Sequence, residues 1–161
     1  MPALYKVDMR GIEGVQQNIR YVRESFPQWA ADANEKTAKD IQQLAQRTIT
    51  TIDAIATGKM YAGIETSSSK AGLVWAVGSK AEYAPFVELG TRPHFPPISA
   101  IREWCRVRGI PESAAYAICL KIAKLGTPER PFLFPAFYLG IRNHIARMRE
   151  QVVGGLRKKL G

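Results

Sequence analysis

The sequence predicts a mixed chain: a β-hairpin packed against a long N-terminal helix, with further helices in the C-terminal half. Three observations carry this. An apolar stripe at helical spacing occupies the first fifty residues. The apolar period then changes to two near residue 60. Eight of the ten prolines crowd between Pro85 and Pro135, while only Pro2 and Pro27 come earlier.

The first elements fall in residues 11–52. Val15, Ile19, Val22, Phe26 and Trp29 recur at steps of four and three, which places them on one helix face. Asp8 is a candidate cap. Pro27 lacks an amide hydrogen and crowds the preceding turn, so a break is expected there. The reading is a short helix near 11–24, then a longer one from Pro27 to about Thr51. Thr37, Ile41, Leu44, Thr48 and Ile52 continue the stripe, with Lys36, Lys39, Gln43 and Arg47 opposite.

Residues 58–91 read as the sheet region. Leu73, Trp75 and Val77 alternate with Val74, Ala76 and Gly78, so a strand covered on both faces is expected. Met60, Ala62, Ile64 and Thr66 suggest its partner, with Ser67 to Lys70 as the connection.

Helices follow in 98–126 and 135–158. Ile98, Ile101 and Cys105 share one face, and Gly109 is a stop. Ala114, Ile118, Ile122 and Leu125 share another, closed by Gly126 as a C-cap. Phe137, Ile141, Ile145, Met148, Val152 and Leu156 mark the last apolar face, weakened near its end by Gly154 and Gly155.

A chain of 161 residues fits one domain and can bury a core without staples. Apolar residues at 46% and charged residues at 23% argue against wholesale disorder. Two cysteines, Cys105 and Cys119, are too few for a disulfide scaffold. The charged residues among the first thirty argue against a signal peptide. The longest apolar run, Ala114 to Leu120, is far short of a membrane span, so no membrane partner is expected.

Signatures of catalysis are missing. Neither the P-loop nor the dinucleotide fingerprint occurs. His94, His144, Cys105 and Cys119 lack paired-ligand spacing, and both cysteines fall on apolar helix faces, as small core residues do. Glu82 and Glu88 are the nearest thing to a carboxylate pair. No enzyme, metal or cofactor is expected.

The net charge of +9 has an address. Residues 1–100 carry 11 basic and 10 acidic side chains; residues 101–161 carry 12 and 4. Arg142, Arg147, Arg149, Arg157, Lys158 and Lys159 form a basic surface on the last helix. It could track a phosphate backbone, which keeps a basic nucleic-acid-binding module as the alternative function. With no recognition motif or stacking aromatics nearby, a solvated helix face is the preferred reading.

From Tyr83 to Phe137 prolines and aromatics interleave, with few polar groups for chemistry. Rigid rings of this kind suit protein–protein contact, or they close the core around a proline-rich crossover. Either reading fits, and both can hold for different rings.

The stretch Tyr83-Ala-Pro-Phe-Val-Glu-Leu-Gly-Thr91 resembles the central motif of phage tail-completion proteins, the head–tail joining or neck proteins of long-tailed phages. The order of the other pieces is similar: a long first helix, Thr57-Gly58 before the strands, Val77-Gly78-Ser79, then Arg130-Pro131-Phe132-Leu133 and Pro135-Ala136. His94-Phe95-Pro96-Pro97, Trp104 and the helix from Ala115 to Gly126 look like an elaborated subgroup.

The resemblance implies an α+β fold: a small antiparallel sheet packed against a long N-terminal helix. It implies a structural virion protein without a catalytic site, assembled in the host cytoplasm. It would form a ring of six copies at the neck or head-proximal tail end. Expected partners are its own copies, the tail tube protein, head-closure or connector proteins and DNA passing through the lumen. Candidate interface residues are Tyr83, Pro85, Phe86, Glu88, Gly90, Thr91, Arg92 and Phe95, with Arg130, Pro131, Phe132 and Phe134. Glu88 is expected to pair with Arg92 or Arg130 and hold the two segments together.

Overall fold

The computed structural model describes residues 11–52 and 58–160. Asp8 and Thr57 lie outside them. The order is α1 (Ile12–Thr51), α2 (Lys59–Ala62), β1 (Ile64–Ser69), β2 (Val74–Ser79), α3 (Ala84–Leu89), α4 (Ile98–Val107), α5 (Ala115–Leu125) and α6 (Leu133–Leu160). A 3-10 turn, Glu112–Ala114, precedes α5. The fold is α+β: one long helix, one two-stranded antiparallel sheet and further C-terminal helices.

α1 runs unbroken through Pro27. The expected break does not occur. Proline removes one backbone bond, to the carbonyl of Arg23, and both residues are exposed, so water can satisfy that oxygen. Beyond Pro27 the helix packs along α6, which offsets the local cost.

The two helices run antiparallel, with Trp29 beside Gly155 and Ile41 beside Gly140. A Cβ on Gly140 would lie 2.3 Å from Ile41 Cγ1, and one on Gly155 would lie 2.2 Å from Trp29 Cζ2. α6 therefore meets α1 through Ala136, Gly140 and Gly155, where missing side chains allow close approach. The periodic stripe that announced α6 faces elsewhere: Phe137, Ile141 and Ile145 are exposed, and Met148, Val152 and Leu156 are half-buried.

The hairpin exists but is shifted along the chain. Met60 belongs to the short helix α2, and Ser67–Ser69 are strand residues, paired with Ala76, Trp75 and Val74. The connection is Lys70 to Leu73, where Lys70, Ala71 and Gly72 all have positive φ. Only one face of the sheet is covered. Ile64, Thr66, Trp75 and Val77 turn inward, while Val74 and Ala76 are exposed. Two amides on α1 fix the hairpin: Asn34 donates to the Leu73 carbonyl at 3.0 Å and Gln42 to the Ile64 carbonyl at 2.7 Å.

The core joins Ile41, Ala45 and Ile49 of α1 to Met60, Ile64, Ala84, Phe132 and Ala136. Cys105 and Cys119 are fully buried free thiols, in α4 and α5. Across the α1–α6 seam, Thr37 donates to the Ala33 carbonyl at 2.8 Å. Its single hydrogen is thereby used, so His144 Nδ1, at 3.0 Å, and Arg147 Nη1, at 3.3 Å, both donate to its oxygen. Arg147 also pairs with Asp40.

Candidate interaction site

The motif that stands out in the sequence is helical: Ala84–Leu89 form α3, with Pro85 in its first turn. It lies inside the region read as sheet. Proline suits this place because its missing amide hydrogen has no helical partner at an N-terminus. Gly90 ends the turn with φ +67°.

Glu88 ties α3 to the start of α6. Its Oε2 accepts the amide hydrogens of Phe132 at 2.8 Å and Leu133 at 2.9 Å, and its Oε1 that of Phe134 at 2.8 Å. The segments are joined as expected, but not through a guanidinium: neither Arg92 nor Arg130 supplies the partner. Three unpaired amides and the positive end of a helix dipole converge on this carboxylate, and they satisfy it without ordering a long side chain. The backbone adds a further tie, Arg130 N–H to the Val87 carbonyl at 2.8 Å.

A second joint lies next to it. Thr91 and Thr127 exchange backbone hydrogen bonds of 3.0 and 3.2 Å, and their hydroxyls meet at 3.0 Å. Each threonine follows a positive-φ glycine that ends a helix, Gly90 after α3 and Gly126 after α5. The sequence carries a sign of this pairing: Leu-Gly-Thr occurs at 89–91 and again at 125–127.

These joints frame an apolar groove of about 960 Å³. Phe86 of α3, Ile101 and Trp104 of α4, and Ile118 and Ile122 of α5 line it. Pro93, Pro96 and Pro97 form a strap along it. Arg92, His94, Arg108 and Arg130 also line it, and Arg108 lies over the Trp104 ring, 5.9 Å from its centroid. No carboxylate is among the described lining residues.

The expected interface residues separate by exposure. Tyr83, Pro85, Phe86, Arg92, Phe95, Arg130, Pro131 and Phe134 are exposed, whereas Glu88, Gly90 and Thr91 are half-buried within the joints. Phe95 packs beside Tyr116, ring centroids 6.3 Å apart. Phe132 is 1% exposed and is a core residue, unable to dock a partner. Of the expected basic surface, Arg142, Arg149, Arg157, Lys158 and Lys159 are exposed, Lys159 lying over Tyr21. Arg147 is committed to Asp40 and Thr37.

Two apolar faces read from the sequence turn out to be partly open, because helical periodicity does not tell which face is covered. Ile12, Val15, Ile19 and Phe26 form an exposed stripe at the start of α1. Phe134, Tyr138, Ile141 and Ile145, at steps of four, three and four, form another on α6; Phe134 is 73% and Ile145 69% exposed. Monomeric proteins rarely leave such stripes uncovered.

Among the described residues no cluster of three or more His, Cys, Asp or Glu could hold a metal ion, and no helix is long and apolar enough to cross a membrane. The architecture defines a helix-and-hairpin domain whose distinctive surfaces are contact surfaces. Residues 13–90 match the HK97-gp10-like family, described as "Bacteriophage HK97-gp10, putative tail-component". That segment, from α1 to Gly90 and just under half of the chain, is similar to a phage tail-component family, in agreement with the resemblance read from its motifs. The role of that family is a structural one in the virion. No curated protein matches the chain, and no solved structure does.

Proposed function

We propose that this chain is a non-catalytic tail-completion component that forms a ring at the neck or head-proximal tail end and joins tail to head. The observation that carries the reading is the tail-component match over residues 13–90. The exposed stripes on α1 and α6 support the ring. They differ from one another, so contact between one stripe and the other in the next copy is head-to-tail, and such contacts close into rings when the rotation allows. Six copies follow from the family resemblance. The tail tube protein would lie on one side of the ring and the head-closure proteins on the other. Arg142 and Arg149, seven residues apart on one exposed face of α6, would meet an acidic neighbour or the DNA in transit.

Light scattering on the eluting protein and electron microscopy of phage particles test this. The expected result is a multimer, or a monomer that assembles on tail tubes, with the protein present at the neck. Ile141→Asp with Ile145→Asp should abolish assembly and leave thermal melting unchanged, since both side chains are exposed. Absence of the protein from purified particles would overturn the reading.

A further inference from the structure

The groove between α3, α4 and α5 is built mostly from residues 91–130, beyond the segment that matches the tail-component family. Whatever it does is additional to that domain. Its floor is aliphatic and aromatic: Ile101, Trp104, Ile118 and Ile122. Its walls are stiff, because Pro93, Pro96 and Pro97 fix the strap and the Thr91–Thr127 bridge pins both ends. A groove that is already formed loses little entropy when occupied.

Charge selects the occupant. Arg92 and Arg130 are exposed at the rim, and His94 stands near them with its Nδ1 2.9 Å from the Arg92 carbonyl. Glu129, next to Arg130 in sequence, is exposed but does not line the groove, and Glu88 is held by the amides at the start of α6. An apolar floor under a cationic rim with no lining carboxylate fits a segment with apolar side chains on one face and carboxylates on the other.

We propose that this groove docks an acidic amphipathic segment of a partner protein. Its apolar side chains enter between α4 and α5, and its carboxylates meet the Arg92 and Arg130 guanidiniums, which suit paired recognition of carboxylate oxygens. Aliphatic side chains offer a phosphate backbone no partner, which disfavours nucleic acid here. The inference does not depend on the neck reading, since it concerns a different surface from the α1 and α6 stripes.

Fluorescence anisotropy with two labelled helical peptides of about four turns tests it. Both carry leucine on one face; one carries glutamate on the other face and the second carries lysine. The glutamate peptide should bind at least about tenfold more tightly. Arg92→Glu with Arg130→Glu should remove that preference, and both residues are exposed, so the fold should persist. Ile118→Glu should abolish binding, while Ile145→Glu on α6 should leave it intact. If Ile118→Glu melts early, the rim pair alone decides. Equal binding of both peptides, binding of neither, or equal loss in Ile145→Glu overturns the proposal. So does a double-stranded DNA oligonucleotide that competes and depends on Arg92 and Arg130, which would assign the groove to nucleic acid.

Discussion

The carboxylate of Glu88 accepts the amide hydrogen of Phe132 at 2.8 Å, across 44 residues of sequence, and so caps the last helix from a different helix. The same group takes the Leu133 and Phe134 amides. Removing it leaves three donors without a protein partner at a helix N-terminus, beside a fully buried ring. Hydrogen bonds to a charged acceptor contribute about 1.5–3 kcal/mol each, and water regains part of that at the exposed Phe134 end. Glu88→Ala should therefore lower unfolding stability by roughly 3 kcal/mol in urea titration. Glu88→Gln, which keeps one oxygen but no charge, should lose less. A change in Glu88→Ala below about 0.5 kcal/mol would show that the cap contributes little.

Arg147 separates from its basic neighbours by what it touches. Its guanidinium reaches Asp40 and Thr37 across the α1–α6 seam, while Arg149 points to solvent. Arg147→Ala should cost about 1–2 kcal/mol, reduced from the value for a buried pair because Asp40 is partly hydrated. Arg149→Ala should stay within about 0.5 kcal/mol. Equal melting temperatures for the two variants would remove Arg147 from the fold and return it to the surface charge.

Gly154 and Gly155 look alike in the sequence and differ in the structure. A methyl on Gly155 would drive into the Trp29 ring, whereas one on Gly154 meets nothing within 4 Å. Gly155→Ala should destabilise by about 1–3 kcal/mol through overpacking. Gly154→Ala should stabilise by up to about 1 kcal/mol, because glycine is a poor helix former. Thermal unfolding of the two single variants reads both signs at once.

These sites show what the chain makes legible and what it hides. The longer helices are visible because apolar residues recur at helical steps, and Gly126 marks the end of α5 as expected, whereas the short α2 and α3 fall in the region read as sheet. The period found α6 but did not tell which face is covered: Phe137, Ile141 and Ile145 are exposed, Met148, Val152 and Leu156 are half-buried, and Gly140 and Gly155 meet α1. Small residues carry no hydrophobic signal, so a seam built on them is silent in any apolar pattern. The hairpin was found with shifted ends for a related reason: Ser67–Ser69 read as loop by composition, yet pair in register with Val74–Ala76. Pairing, unlike propensity, is set by the other strand. The groove needed three helices brought together by Glu88 and by the two threonines, contacts of more than thirty residues' separation; the repeated Leu-Gly-Thr marks the threonines, but periodicity places neither them nor the three helices around a groove.

The Thr91–Thr127 joint makes the last prediction. Gly126 has φ +71°, and a Cβ there would sit 2.0 Å from the Thr91 carbonyl oxygen, a backbone atom that cannot turn aside. Gly109 has nearly the same dihedral, φ +67°, but open space around it. Gly109→Ala thus measures the conformational cost alone, about 1–2 kcal/mol. Gly126→Ala adds the clash and must also part the two threonines that close the groove, so it should cost at least about 2 kcal/mol more. Thermal melting of both variants yields the difference. If the two lose equal stability, the crossing at Thr91 and Thr127 yields easily, and the groove it frames is not a rigid one.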